Sequence, residues 1–356
     1  MLRDVLIGSC VLLLPACKSI GPSQVPSDQF DYNQAIARST NEQMLLNLVR
    51  LRYGEAPTFL AVNSVLTQYV YMGGVGVQGA WGSSLGEPAY SVGGSADLRY
   101  IERPTITYSP LTGQQFASQM TSAVPTELLF SLVHSGWPPD QLLFMCLQRI
   151  NSLQDLGFMP TASWEATDSH GNLDRAIELL IELSKREAVE VLPLADEPAS
   201  RQLVFDEHAD PDTQQLIDEL KQAVGLSPER SAFRITRRIV GRGPDEVTVR
   251  LRSLLEMMGF LCFGVELPQE HLDENRAARI SDVRSGDDRR RVPLQVHSQA
   301  EPPSNAFVAV KYADHWFYIP HSDHTSKLAF GLLAYLFQMQ APQVQGAGPL
   351  LTVPTG

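Results

Sequence analysis

The sequence predicts an α+β fold: a mixed helical and antiparallel β chain with a long glycine-rich β-hairpin and a C-terminal α+β part. Three observations lead there. Residues 32–53 and 325–340 place apolar side chains at helical spacing. Residues 59–108 alternate instead, and eight of the 25 glycines fall between Gly73 and Gly94. From residue 161 onward, short helical and short alternating stretches follow one another.

Taken in order, Ala35, Ile36, Met44, Leu45, Leu48, Val49 and Leu51 mark a helix over Tyr32–Tyr53, with Gly54 as C-cap. Arg50 and Arg52 interrupt its apolar end and are expected to form a salt bridge or cap carbonyls. Phe59–Tyr108 reads as β. Thr112–Gly157 reads as helical, with Thr112 and Thr126 as caps and a break at Gly136-Trp137-Pro138-Pro139. A helix over Leu173–Arg186 carries a stripe of Ile177, Leu180, Ile181 and Ser184. A strand at Arg201–Phe205 precedes an amphipathic helix, Asp212–Val224, ending at Gly225. Phe233–Val240 reads as a strand and Pro244–Met258 as a helix opened by proline and closed at Gly259. Ile280–Val283 and Val292–His297 are expected to pair across the polar turn Arg284–Arg291. Two strands flank Ala313-Asp314, and Ser322 or Asp323 caps a last helix, Thr325–Gln340. The resulting organisation is a leader over 1–16, a tether over 17–31, a helical region over 32–160 containing the 67–108 hairpin, an α+β region over 161–340, and an extended tail over 341–356.

The N-terminus carries an address. Val5–Leu14 is an apolar run of signal-peptide length, too short for a membrane-spanning helix, which needs about 20 residues. Leu14-Pro15-Ala16-Cys17 follows and resembles the bacterial lipobox, which implies cleavage before Cys17 and acylation of its thiol with chains such as palmitate. Two or more acyl chains anchor durably, at about 0.8 kcal/mol per buried CH₂. Lys18 and Ser19, where Asp would retain a lipoprotein in the inner membrane, favour the periplasmic side of the outer membrane.

Composition narrows the function classes. Residues 1–16 contain one Arg and one Asp, so the formal charge of −12 survives their removal. An acidic chain is poorly suited to nucleic acid, whose phosphates need Lys and Arg. Cys146 and Cys262 lie in apolar runs, either as buried thiols or, in an oxidising periplasm, as a disulfide.

Several segments together, NEQMLLNLVRLRYGEAPTFLAV (41–62), ERPTITYSPLTGQQF (102–116), LVHSGWPPDQLL (132–143), QRIN (148–151) and SKLAFGLLAYLFQMQ (326–340), resemble an uncharacterised family of proteobacterial lipoproteins. The resemblance covers most of the mature chain. It implies an envelope location and carries no catalytic residue.

The hairpin is the second physical clue. On its first strand one face holds Tyr69, Tyr71, Val75, Val77 and Trp81, and the other Gly74, Gly76, Gln78 and Ala80. On the second, Tyr90, Val92, Ala96, Leu98 and Tyr100 face away from Ser91, Gly93, Ser95, Asp97 and Arg99. Each apolar face ends in aromatics about ten residues apart, as in a transmembrane β-strand of about 9–11 residues with aromatic girdles. A lone hairpin would leave two edges of unpaired amides in hydrocarbon, so insertion requires copies to close a ring. The competing expectation is a periplasmic hairpin packed on helices or used as an assembly arm, since soluble antiparallel sheets alternate too.

Chemistry is weakly signalled. Gly82-Ser83-Ser84-Leu85-Gly86 matches a nucleophile elbow around Ser84, but Glu87-Pro88 and a strand follow where the elbow needs a helix. His315, His321 and His324, with Asp314 and Asp323, could gather on zinc or simply sit at a strand end and a helix cap. Asp287-Asp288 beside Arg289-Arg290-Arg291 reads as a solvated tip or an inter-subunit charge pair. No catalytic role, cofactor or metal is expected. The expected partners are the outer membrane, further copies of the chain and other envelope proteins. A monomeric periplasmic binding module, with its site in the C-terminal part, is the alternative.

Overall fold

Helix α1 spans Gly21–Arg52 in the computed structural model, which describes residues 21–84, 87–154, 169–194, 196–197, 200–241, 243–278 and 292–340. The helix begins well before Tyr32, so part of the expected tether is helical. Pro22 lies in the first turn, where its missing N–H removes no helical bond. Pro26, further in, does remove one. At the other end Gly54 takes φ +80°, and its N–H donates to the Leu51 carbonyl at 3.0 Å, the glycine stop that the sequence predicts. Two compact units divide the described chain. One holds residues 21–39 and 60–111; the other holds 40–59 and the described residues from 112 onward.

The first unit is dominated by a ribbon. Strands β1 (Phe59–Ser84) and β2 (Glu87–Leu111) form a sheet of two. At about 3.3 Å per residue a strand of this length reaches about 85 Å. Near its base Asn63 Nδ2 donates to Ser109 Oγ across the ribbon at 2.5 Å.

The second unit contains two further sheets. The larger uses β3 (Leu147–Ile150), β4 (Leu153–Gln154), β5 (Val189–Pro193), β6 (Arg201–Phe205), β7 (Ala232–Thr236) and β8 (Glu246–Leu251), in the order β4-β3-β8-β7-β6-β5. All neighbours are antiparallel except β7 and β8, which are parallel. Helices α2 (Gln114–Thr121), α3 (Thr126–His134) and α4 (Pro139–Cys146) precede it, and α5 (Ser169–Lys185) and α6 (Pro211–Val224) are interleaved with its strands. Leu173, Ala176, Ile177 and Leu179 of α5 are buried, as are Ile217, Leu220 and Val224 of α6, whereas Ser184, expected on the apolar stripe, is exposed. Asp210 caps α6 by accepting from Thr213 N at 3.1 Å, and Gly225 closes it at φ +66°.

Two buried polar side chains lock this sheet. Asn151, at φ +51°, donates through Nδ2 to the Val224 carbonyl at 2.7 Å and accepts from Thr248 N at 2.8 Å. Arg252 donates to the carbonyls of Phe144 and Met145 at 2.7 and 2.8 Å while stacking over Phe260. Each satisfies groups whose burial without a partner would cost about 1–3 kcal/mol.

The smaller sheet has the order β10-β11-β9, from β9 (His297–Gln299), β10 (Ala306–Tyr312) and β11 (His315–Pro320). Ala313 and Asp314, both at positive φ, make the tight turn between β10 and β11. Helix α7 (Leu254–Leu261) starts in a full capping box between Ser253 and Glu256. A 3-10 turn (Cys262–Gly264) and a short helix α8 (Gln269–Asp273) follow. The chain approaches itself closely here: a Cβ on Gly264 would meet the Leu294 carbonyl oxygen. Helix α9 (His324–Gln340) buries Ala329, Phe330, Leu332, Leu333, Leu336 and Phe337, and Asp323 caps it by accepting from Ser326 N at 3.0 Å. In the same core, Met44, Leu45, Leu48 and Val49 of α1 are buried, and Phe59 stacks on Phe337 at 4.5 Å.

The α+β class holds, and several elements differ from the sequence reading. Residues 147–150 form β3 instead of continuing a helix to Gly157, and residues 155–157 lie outside the described residues. Gly113 and Pro125, rather than Thr112 and Thr126, occupy the N-cap positions of α2 and α3, without side-chain capping bonds. The expected helix over Pro244–Met258 is split into β8 and α7. Val247 and Val249 alternate, and β8 gains partners on both sides, β7 and β3. The strand expected to reach Val240 ends at Thr236. Ile280–Val283 lies outside the described residues; of its expected partner segment Val292–His297, His297 begins β9, paired with β11.

Candidate functional site

The ribbon is the feature most specialised beyond a packed domain. Its strands are several times the length of an ordinary strand of about 5–6 residues. Among the described residues no third strand pairs with it, so β1 and β2 are both edges. An edge presents a row of free N–H and C=O groups that templates pairing with another chain. An isolated two-stranded hairpin is also marginal in water and gains stability from further strands.

The residues predicted to face a membrane fall inside these strands. Tyr69, Tyr71, Val75, Val77 and Trp81 lie on β1, and Tyr90, Val92, Leu98 and Tyr100 on β2; their backbone is strand throughout, and their side chains lie outside the described residues. The predicted span therefore occupies the half of the ribbon nearer its tip. The other half, residues 59–68 and 101–111, is a stem of about 33 Å at 3.3 Å per residue. On the stem Leu60, Ile106 and Tyr108 are exposed apolar side chains beside exposed Asn63, Ser64, Thr105 and Thr107. Ser84 ends β1 and Glu87 begins β2, so a strand follows where a nucleophile elbow needs a helix, while residues 85–86 lie outside the described residues. Cys17 lies outside the described residues, as do Asp287, Asp288 and Arg289–Arg291.

Other predicted residues scatter over the globular unit. Cys146 and Cys262 are both buried free thiols; Cys146 Sγ contacts Met257 Sδ at 3.9 Å and Cys262 Sγ the Gly259 carbonyl at 3.1 Å. Arg50 sits 3.9 Å from Glu55, the expected salt bridge. Arg52 caps a carbonyl far along the chain, Ala278, at 2.9 Å, and burial lowers the affinity of its guanidinium for a proton. Its buried Nε carries no hydrogen bond, and the residue lines a cleft of about 470 Å³, where Glu266 and His297 also pair at 3.4 Å. His315 does not gather with His321 and His324: His321 packs on Phe307 and His324 opens α9. It meets Glu270 and His271 instead, a grouping across distant segments that no local spacing signals. No helix among the described residues is long and apolar enough to cross a membrane. No family model, curated protein or solved structure matches the chain.

Proposed function

We propose that the chain is a lipid-anchored envelope protein of assembly function, whose copies pair their ribbons into a shared β-barrel that forms an outer-membrane pore or secretion channel. The observation that supports this reading is a ribbon of 26- and 25-residue strands with both edges unpaired among the described residues. Pairing β1 of one copy with β2 of the next satisfies both edges at once, and closure removes edges altogether. The glycine-rich, aromatic-bounded half of the ribbon has the length of a membrane crossing, and the stem continues both strands beyond it. Cys17 then contributes acyl chains that hold every copy at the outer membrane and raise its local concentration for ring closure.

Cys17→Ser tests the address. The substitution is expected to abolish lipid labelling and release the protein from the membrane fraction. Unchanged labelling and retention would contradict the lipoprotein reading. A second reading, a monomeric periplasmic lipoprotein that binds a small ligand, draws on the cleft beside Arg52, whose buried Nε has no hydrogen bond. In it the ribbon is a soluble arm.

A further inference from the structure

We propose that Glu270, His271 and His315 bind one divalent cation of the zinc class. Three segments supply the group: α8, the start of β11, and the turn after α1, which adds Tyr53. His271 is almost wholly buried, and its Nδ1 lies 2.5 Å from the Tyr53 hydroxyl. That contact fixes the ring and leaves Nε2 facing Glu270 Oε1 at 3.6 Å. His315 Nδ1 lies 3.4 Å from the same carboxylate oxygen. The two imidazoles cross at 77° with centroids 5.0 Å apart.

These separations are those of a coordination shell. Zinc bonds of about 2.0–2.1 Å in a tetrahedron place ligand atoms about 3.3–3.4 Å apart. Two of the three edges are near that length, and all three ligand atoms lie within 4.8 Å of one another. His315 Nδ1 is shielded from solvent yet has no hydrogen-bond partner. A buried imidazole nitrogen without a partner is costly, and a cation would satisfy it.

The surroundings suit a metal. Tyr53 provides the oxygen partner that ligating histidines use for their second nitrogen. Its hydroxyl can donate to Nδ1 without metal and accept from it with metal. Two imidazoles and one carboxylate favour zinc over calcium or magnesium, which take oxygen shells. Glu270 is mostly exposed, so the fourth position opens to water or to a donor from another molecule. The bound ion would clip α8 to β11 at the end of α1, independently of what the ribbon does.

The test uses the full chain, purified in detergent with a histidine-free tag, stripped by chelator and titrated with Zn²⁺ against a chromophoric competitor. One equivalent is expected to bind, and Co²⁺ in its place is expected to give the visible bands of a four-coordinate ion. His315→Ala, at a half-buried position, and Glu270→Gln, at an exposed one, should each weaken binding at least tenfold, while the double change His321→Ala and His324→Ala should leave it intact. Absence of stoichiometric binding by the unaltered chain would overturn the proposal, as would full binding by both His315→Ala and Glu270→Gln.

Discussion

At Cys146 complete burial pushes the thiol up to about 12, against a smaller opposing pull from Arg252. The thiolate is the reactive form. At pH 8 a thiol of that kind is ionised about once in ten thousand. We therefore expect Cys146 to resist iodoacetamide in the folded protein and to label readily once denaturant unfolds it, read by peptide mass spectrometry. Rapid labelling of the native chain would contradict the buried placement. The same logic of burial explains why the sequence alone left the two cysteines open: their apolar flanks indicate a core, but only the fold shows each beside another partner, Met257 Sδ or the Gly259 carbonyl. Glu270, His271 and His315 were equally hidden. His315 stands near His321 and His324 in sequence, yet β11 and α9 separate their environments, and its nearest polar neighbours come from α8.

Elements were legible where local signals agreed with their partners. Helix α6 has a capping Asp210, a proline at its start and Gly225 at its end, and it forms within a residue of its predicted start. The β10–β11 turn was marked by Ala313-Asp314, and β6 forms over the predicted residues. Legibility failed where non-local pairing decided. The segment Glu246–Leu251 could continue into the apolar run of α7, and its pairing with β7 and β3 makes it a strand. Residues 147–150 follow a helix directly and become β3 by pairing with β8. For the ribbon, alternation and glycines indicated a hairpin, and the β reading of Phe59–Tyr108 agrees with strands over Phe59–Ser84 and Glu87–Leu111. Its two faces make a prediction at this scale. On the proposed lipid-facing side, Val77→Arg would place charge near the bilayer midplane at a cost of about 2–4 kcal/mol per strand. The inserted oligomer should be lost, whereas Gln78→Arg on the opposite face should keep it, as read by membrane extraction and gel migration. Equal behaviour of the two variants would contradict the assigned faces.

On the scale of the molecule, the two units divide labour. Among the described residues the globular unit has its own core and two sheets. The ribbon has two strands and two open edges and gains stability by pairing with something else. The central claim is that this partner is the ribbon of another copy. The most direct measurement is the mass of the protein after mild detergent extraction, for the full chain and for a deletion of residues 73–94. The account predicts a species many times the chain's 39.3 kDa for the former and a folded monomer for the latter. A clean monomer from the full chain, or an oligomer that survives the deletion, would contradict it.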